Sequence, residues 1–149
     1  MDKNKSQITW HFSANVNEIE PICIEVRDFL TEYSVNASDI FAIELLIREA
    51  LTNAVVHGSN ADPALQVDCQ IEMLGSMVSL KIQDQGSGFD WQSYRATKAG
   101  AEVEEGHLKE SGRGLSIYSL YASTCSFNQT GNGVFLTRQS EKGEPRGRE

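Results

Sequence analysis

The chain has 149 residues, 40% of them hydrophobic and 23% charged, with a formal net charge of -8 and a pI near 4.9. That length suits one domain with a single core and excludes a multidomain machine. The acidic balance argues against nucleic-acid binding, whose phosphate affinity needs clustered Lys and Arg. No run approaches the ~20 apolar residues of a membrane span, and residues 1–7 lack the apolar core of a signal peptide, so a cytoplasmic protein is expected.

Ile8, Trp10, Phe12 and Ala14 alternate with polar residues, the period of a half-buried strand. From Glu18 to Tyr33 the apolar positions Ile19, Ile22, Cys23, Val26, Phe29 and Leu30 recur at helical steps, with Asn17 as a cap. A second helix is expected to start at an N-cap Ser38, carry Asp39 in its first turn and run to about His57, where Gly58 closes it. Leu65 to Leu74 and Met77 to Gln83 alternate again around Gly75-Ser76 and predict a β-hairpin.

Residues 84–111 are glycine-dotted and read as mostly loop. Gly112 to Ala122 returns to helical spacing, and Thr124 to Gln129 and Val134 to Gln139 predict two strands around Thr130-Gly131-Asn132-Gly133. Residues 141–149 read as a frayed tail, leaving 1–140 as the domain. This order predicts an α+β fold, a two-layer sandwich with three main helices on one face of a mostly antiparallel or mixed sheet of about five strands. Cys23, Cys69 and Cys125 are odd in number and sit in apolar stretches, which suits reduced packing residues. The three histidines show no zinc-ligand spacing.

Three segments can carry chemistry. On the second helix Glu49, Asn53 and His57 stand at i, i+4 and i+8 and form one ridge beside the apolar stripe. A carboxylate can take a proton, an amide oxygen can ligate Mg²⁺ and an imidazole can hydrogen-bond a phosphate; equally, the row suits a solvated flank, since Glu44 and Arg48 form an i, i+4 surface pair on the same helix. Asp84-Gln85-Gly86-Ser87-Gly88 follows a strand, placing a carboxylate beside backbone that can approach a flat ligand, or forming a plain turn. Ser111-Gly112-Arg113-Gly114-Leu115 opens a helix, where free N–H groups and the dipole favour an anion, although glycines there also serve tight packing. Between them, residues 90–110 suit either a movable lid or plain surface.

In this order the three segments resemble the N, G1 and G2 boxes of GHKL (Bergerat-fold) ATPases, over about Ile8 to Arg138. The short single-domain form, Arg48-Glu-Ala-Leu-Thr-Asn-Ala-Val-Val-His57-Gly and Phe127-Asn-Gln-Thr-Gly-Asn-Gly133 look most like anti-sigma-factor serine kinases of the RsbW and SpoIIAB type. The resemblance implies ATP and Mg²⁺ as cofactors, Glu49 as catalytic base, Asn53 as metal ligand and Asp84 as partner of the adenine amino group. It implies Gly86 and Gly88 beneath adenine and Gly112, Gly114 and Leu115 at the phosphates, with Lys109 or Arg113 at the γ-phosphate; His57 is expected near the phosphates from its place on the ridge. A small antagonist protein as substrate, a sigma factor as second partner and a homodimer through the first strand and helix are further implications. Two departures stand out: Val134 offers no hydroxyl where relatives carry Thr or Ser, and Lys109-Glu110 stands where some carry Arg. The alternative function is a non-catalytic nucleotide-dependent regulatory binding module.

Overall fold

A computed structural model of the chain describes residues 6–88 and 117–140. The lid expected at 90–110, the phosphate segment with Lys109, Gly112, Arg113, Gly114 and Leu115, and the tail at 141–149 lie outside the described residues.

Strand β1 (Gln7–Ser13) leads through a 3-10 turn (Val16–Glu18) into α1 (Ile19–Glu32) and α2 (Ala37–Thr52), which continues as a π turn (Asn53–Gly58). Strands β2 (Gln66–Leu74) and β3 (Met77–Gln83) form the expected hairpin. After the undescribed stretch, residues 117–121 are helical (α3), and β4 (Thr124–Phe127) and β5 (Gly133–Gln139) form the second hairpin. The sheet order is β1-β2-β3-β5-β4, and every neighbouring pair is antiparallel. The described sheet is therefore antiparallel throughout, without the mixed component allowed for in the expectation.

Strand alternation decides which side chains enter the core. Val67, Cys69 and Ile71 on β2, Val78, Leu80 and Ile82 on β3, and Val134 and Leu136 on β5 are buried against Val26 and Leu30 of α1 and Ile43, Leu46 and Ile47 of α2. Each such side chain contributes roughly 1.5–3 kcal/mol on leaving water. Thr9, His11, Asp68 and Lys81 occupy the alternate positions and are exposed, so the described helices cover one face of the sheet. Burial pushes the Cys23 thiol up to about 11 and raises Cys69 as well, as suits packing residues, and no cysteine is in a disulfide.

Several local expectations are corrected. Asn15, not Asn17, caps the first turn: its side-chain oxygen accepts the Asn17 N–H at 2.8 Å. Asn36, not Ser38, caps α2, accepting the Asp39 N–H at 2.8 Å from an extended backbone, while Ser38 already lies inside the helix. Asp39 is more than a first-turn acid. It is buried and paired with Arg138 at 2.8 Å, and Arg138 Nη1 donates to the Tyr121 carbonyl at 2.6 Å. Nor do Glu44 and Arg48 pair with each other: Glu44 takes Arg27 at 2.6 Å and Arg48 takes Glu20 at 2.7 Å, two pairs that link α2 to α1.

Candidate nucleotide site

The ridge holds for one step and then turns. Glu49 and Asn53 are both half-buried, one α-helical turn apart. From Asn53 onward the wider π turn places the fifth residue, not the fourth, over Asn53, and His57 is exposed. Gly58 thus comes in line with the ridge where His57 was expected.

Asn53 has a partner that sequence spacing did not suggest. Its Nδ2 donates to the Tyr118 hydroxyl at 3.1 Å, across 65 positions of chain. Tyr118 sits on α3 and is 3% exposed, with its ring tilted against Phe127 at a centroid distance of 6.4 Å. Burial raises its phenolic pKa, offset in part by the hydrogen bond from Asn53, so the group is a neutral hydroxyl. With Nδ2 engaged, the amide keeps its oxygen as an acceptor, the donor type that Mg²⁺ takes. Among the described residues no group of three or more His, Cys, Asp and Glu could hold a metal ion. The set fits a cation held by one amide oxygen and by the ligand's own oxygens, not a closed protein cage.

Asp84 stands where β3 ends. It is 8% exposed, and burial raises its carboxyl pKa, opposed by the Gly86 N–H that donates to Oδ1 at 2.7 Å. The π turn packs directly on it. A Cβ on Gly58 would lie 2.6 Å from Asp84 Cγ and 2.7 Å from Oδ1, and a Cβ on Gly86 would lie 2.7 Å from the Gly58 carbonyl carbon. Side chains are excluded at both positions because the two backbones and the carboxylate share one space. The end of the Asn53 segment and the Asp84 loop therefore meet at Gly58. Next to it Ser59 is buried, and its hydroxyl has no hydrogen-bond partner among the described residues, an uncommon state for an interior polar group.

A polar network fixes the loop after Asp84 to the β4–β5 turn. Asn128 Oδ1 accepts the N–H groups of Gly131 at 2.8 Å, Asn132 at 3.1 Å and Gly133 at 3.2 Å. Asn132 Nδ2 donates to the Gly86 carbonyl at 3.0 Å, and Gln83 Nε2 donates to Asn132 Oδ1 at 2.9 Å. Gly88 has φ +86°, and a Cβ there would lie 2.7 Å from the Thr130 carbonyl carbon. The sequence predicts a strand as far as Gln129 and a turn at Thr130 to Gly133, but β4 stops at Phe127 because Asn128 caps the turn; the spacing of Asn128 and Asn132 was the available signal. Val134, flagged for its missing hydroxyl, is 9% exposed and pairs with Ile82 and Phe127 in the sheet register.

A separate hollow of about 560 Å³ opens on the sheet, lined by outward residues including Thr9, His11, Asp68, Lys81 and Phe135. None of Glu49, Asn53 or Asp84 lines it.

Residues 12–138 match the histidine kinase-like ATPase domain. The chain belongs to this family. Membership of an ATPase-domain family implies ATP as the ligand. Proteins similar to this one are named anti-sigma F factor. One from Oceanobacillus iheyensis is 23% identical over 133 residues, covering 87% of this chain and 90% of the relative. Another from Shouchella clausii is 30% identical over 120 residues, covering 78% and 80%. Among solved structures, the chain resembles the RsbU and RsbW domains of Rv1364c from Mycobacterium tuberculosis, with a TM-score of 0.58 and 20% identity. That match covers 89% of this chain and 31% of the longer one. It also resembles a chain of the SiaB-SiaC complex from Pseudomonas aeruginosa, with a TM-score of 0.62, 18% identity, and coverage of 88% and 87%. These two likenesses show the α+β fold.

Proposed function

We propose that this chain is an anti-sigma-factor-type serine/threonine protein kinase that uses Mg-ATP to phosphorylate a small antagonist protein and sequesters a sigma factor when that antagonist is absent or modified. The observation that carries the reading is the packing of Gly58, at the end of the π turn that continues the Glu49 helix and begins at Asn53, on Asp84, which joins two segments far apart in sequence, each suited to one end of a nucleotide. The anti-sigma F factor relatives support the regulatory role, and the SiaB-SiaC complex offers a precedent for a protein partner on this fold.

In this mechanism Asp84 accepts the adenine amino group, and the close-packed Gly86 and Gly88 let the base lie against backbone. By the resemblance, Gly112, Gly114 and Leu115 belong to the phosphate-binding segment, with His57 and either Lys109 or Arg113 at the outer phosphates. Asn53 would hold Mg²⁺ through its amide oxygen, and the ion would supply charge neutralisation on the phosphates. Glu49 accepts the proton of the substrate hydroxyl as that oxygen bonds the γ-phosphorus and the bond to the ADP oxygen breaks. Positioning provides most of the acceleration. The protein acts in the cytoplasm as a homodimer through β1 and α1.

Glu49→Gln tests the reading: it retains ATP affinity and loses transfer of labelled phosphate to a purified antagonist by at least roughly 10²-fold, the contribution of a positioned base. Undiminished transfer by the variant defeats the assignment. A native chain that binds ATP yet labels no candidate antagonist is a nucleotide-dependent binding module, not a kinase.

A further inference from the structure

We infer that the Tyr118 hydroxyl is a positioning group that locks the Asn53 side-chain amide with its oxygen free for the Mg²⁺ of Mg-ATP. This rests on the reading of Asn53 as the metal ligand. A side-chain amide has a donating nitrogen end and an accepting oxygen end of nearly equal shape, so an unrestrained asparagine can present either. Only the oxygen end attracts a cation; the NH₂ end repels it. At Asn53 the nitrogen end is the one engaged by the protein, Nδ2 donating to Tyr118 Oη at 3.1 Å, which leaves Oδ1 for a ligand.

Tyr118 is well placed to hold that arrangement. It is 3% exposed, and its ring packs against Phe127 at 6.4 Å, so the hydroxyl cannot swing into solvent. The helix that carries it is fixed at its other end, where Arg138 donates to the Tyr121 carbonyl at 2.6 Å while paired with the buried Asp39 at 2.8 Å. Asp39 lies in the first turn of α2, and Asn53 follows that helix's last residue. Two contacts therefore tie α3 to α2, one at each end of α2, and the one at its C-terminal end, Asn53 to Tyr118, is on the metal ligand. A phenylalanine at 118 keeps the ring and removes only the atom that orients the amide.

The test compares native protein and Tyr118→Phe by isothermal titration with ATP, once with MgCl₂ and once with EDTA. Loss of the orienting hydrogen bond weakens Mg-ATP binding about 3- to 10-fold and leaves metal-free ATP within about two-fold. Equal weakening in both buffers, or none in either, overturns the inference. A native chain whose ATP affinity is the same with and without Mg²⁺ overturns the Asn53 reading itself, and the inference falls with it. Far-UV circular dichroism checks that the variant folds. In case it does not, the side-chain amide protons of Asn53 in ¹⁵N-labelled native protein are followed by NMR. Protection from exchange before nucleotide is added supports the lock, and exchange as fast as that of a solvated asparagine overturns it.

Discussion

Replacing Gly58 with alanine tests the junction between the π turn and Asp84 directly. No positive φ is found at Gly58, so alanine meets no backbone penalty there, and the whole effect must come from what its methyl group touches. The three nearest atoms all belong to the Asp84 carboxyl, with Cγ at 2.6 Å and Oδ1 at 2.7 Å, closer than real Cβ contacts come. Overpacking of this kind costs about 1–3 kcal/mol. If the carboxyl rotates away instead, it gives up the 2.7 Å hydrogen bond from Gly86, a charge-assisted bond worth about 1.5–3 kcal/mol. Either route lowers the melting temperature by about 2–4 °C for each kcal/mol in a domain of this size. Urea denaturation of four proteins isolates the cause: native, Gly58→Ala, Asp84→Ala and the double variant. Because the three nearest atoms are all on Asp84, Gly58→Ala adds less than about 0.5 kcal/mol in the Asp84→Ala background. An equal cost in both backgrounds refutes the reasoning, since the collision would then lie elsewhere.

Two further outcomes follow from the buried charges. Burial raises the Asp84 pKa above its model-compound value of 3.8, so folding penalises the ionised form at neutral pH, and that penalty fades as pH falls through the folded pKa towards 3.8. Asp84→Asn is therefore more stable than the native chain at pH 7, with a difference that vanishes near pH 4 in thermal melts; a difference that is constant across this range contradicts the account. Arg138→Met leaves Asp39, whose side chain is 2% exposed, without its cation and costs about 3–5 kcal/mol by urea denaturation. A loss below about 1 kcal/mol shows that the pair is not a buried one in solution.

What the sequence made legible were the features with a local cause. Alternation at Ile8, Trp10 and Phe12 and along Val78, Leu80 and Ile82 follows from the pleat alone, and it located β1 and β3 to within a residue or so. The close packing of Gly58 on Asp84 was not legible, because it depends on two segments meeting and no periodicity marks it. The α2 cap failed for a different reason. Asn36 and Ser38 are both good capping residues, and only the backbone decides between them; Asn36 is the extended one. Glu44 and Arg48 have the spacing of a helical ion pair, but Arg27 and Glu20 on α1 compete for them and win, a contest invisible to spacing. In the candidate site, Glu49, Asn53, Asp84, Gly86 and Gly88 were all named from sequence, whereas Tyr118, Asn128 and Asn132 were missed. Tyr118 falls on a helical apolar stripe, and nothing in that pattern separates a ring that packs from a hydroxyl that bonds.

The strand order carries a consequence for how the molecule comes into being. β5 is the last strand described in the sequence, yet it lies inside the sheet, bonded to β3 on one side and β4 on the other. While residues 133–139 are still being synthesised, β3 presents an open row of N–H and C=O groups, and Asp39 has no Arg138 to meet. A nascent chain halted before that point carries an adhesive edge beside an uncompensated carboxylate. Productive folding must therefore wait for the C-terminal hairpin, and the nascent chain's exposure to aggregation is set by how long that hairpin takes to arrive.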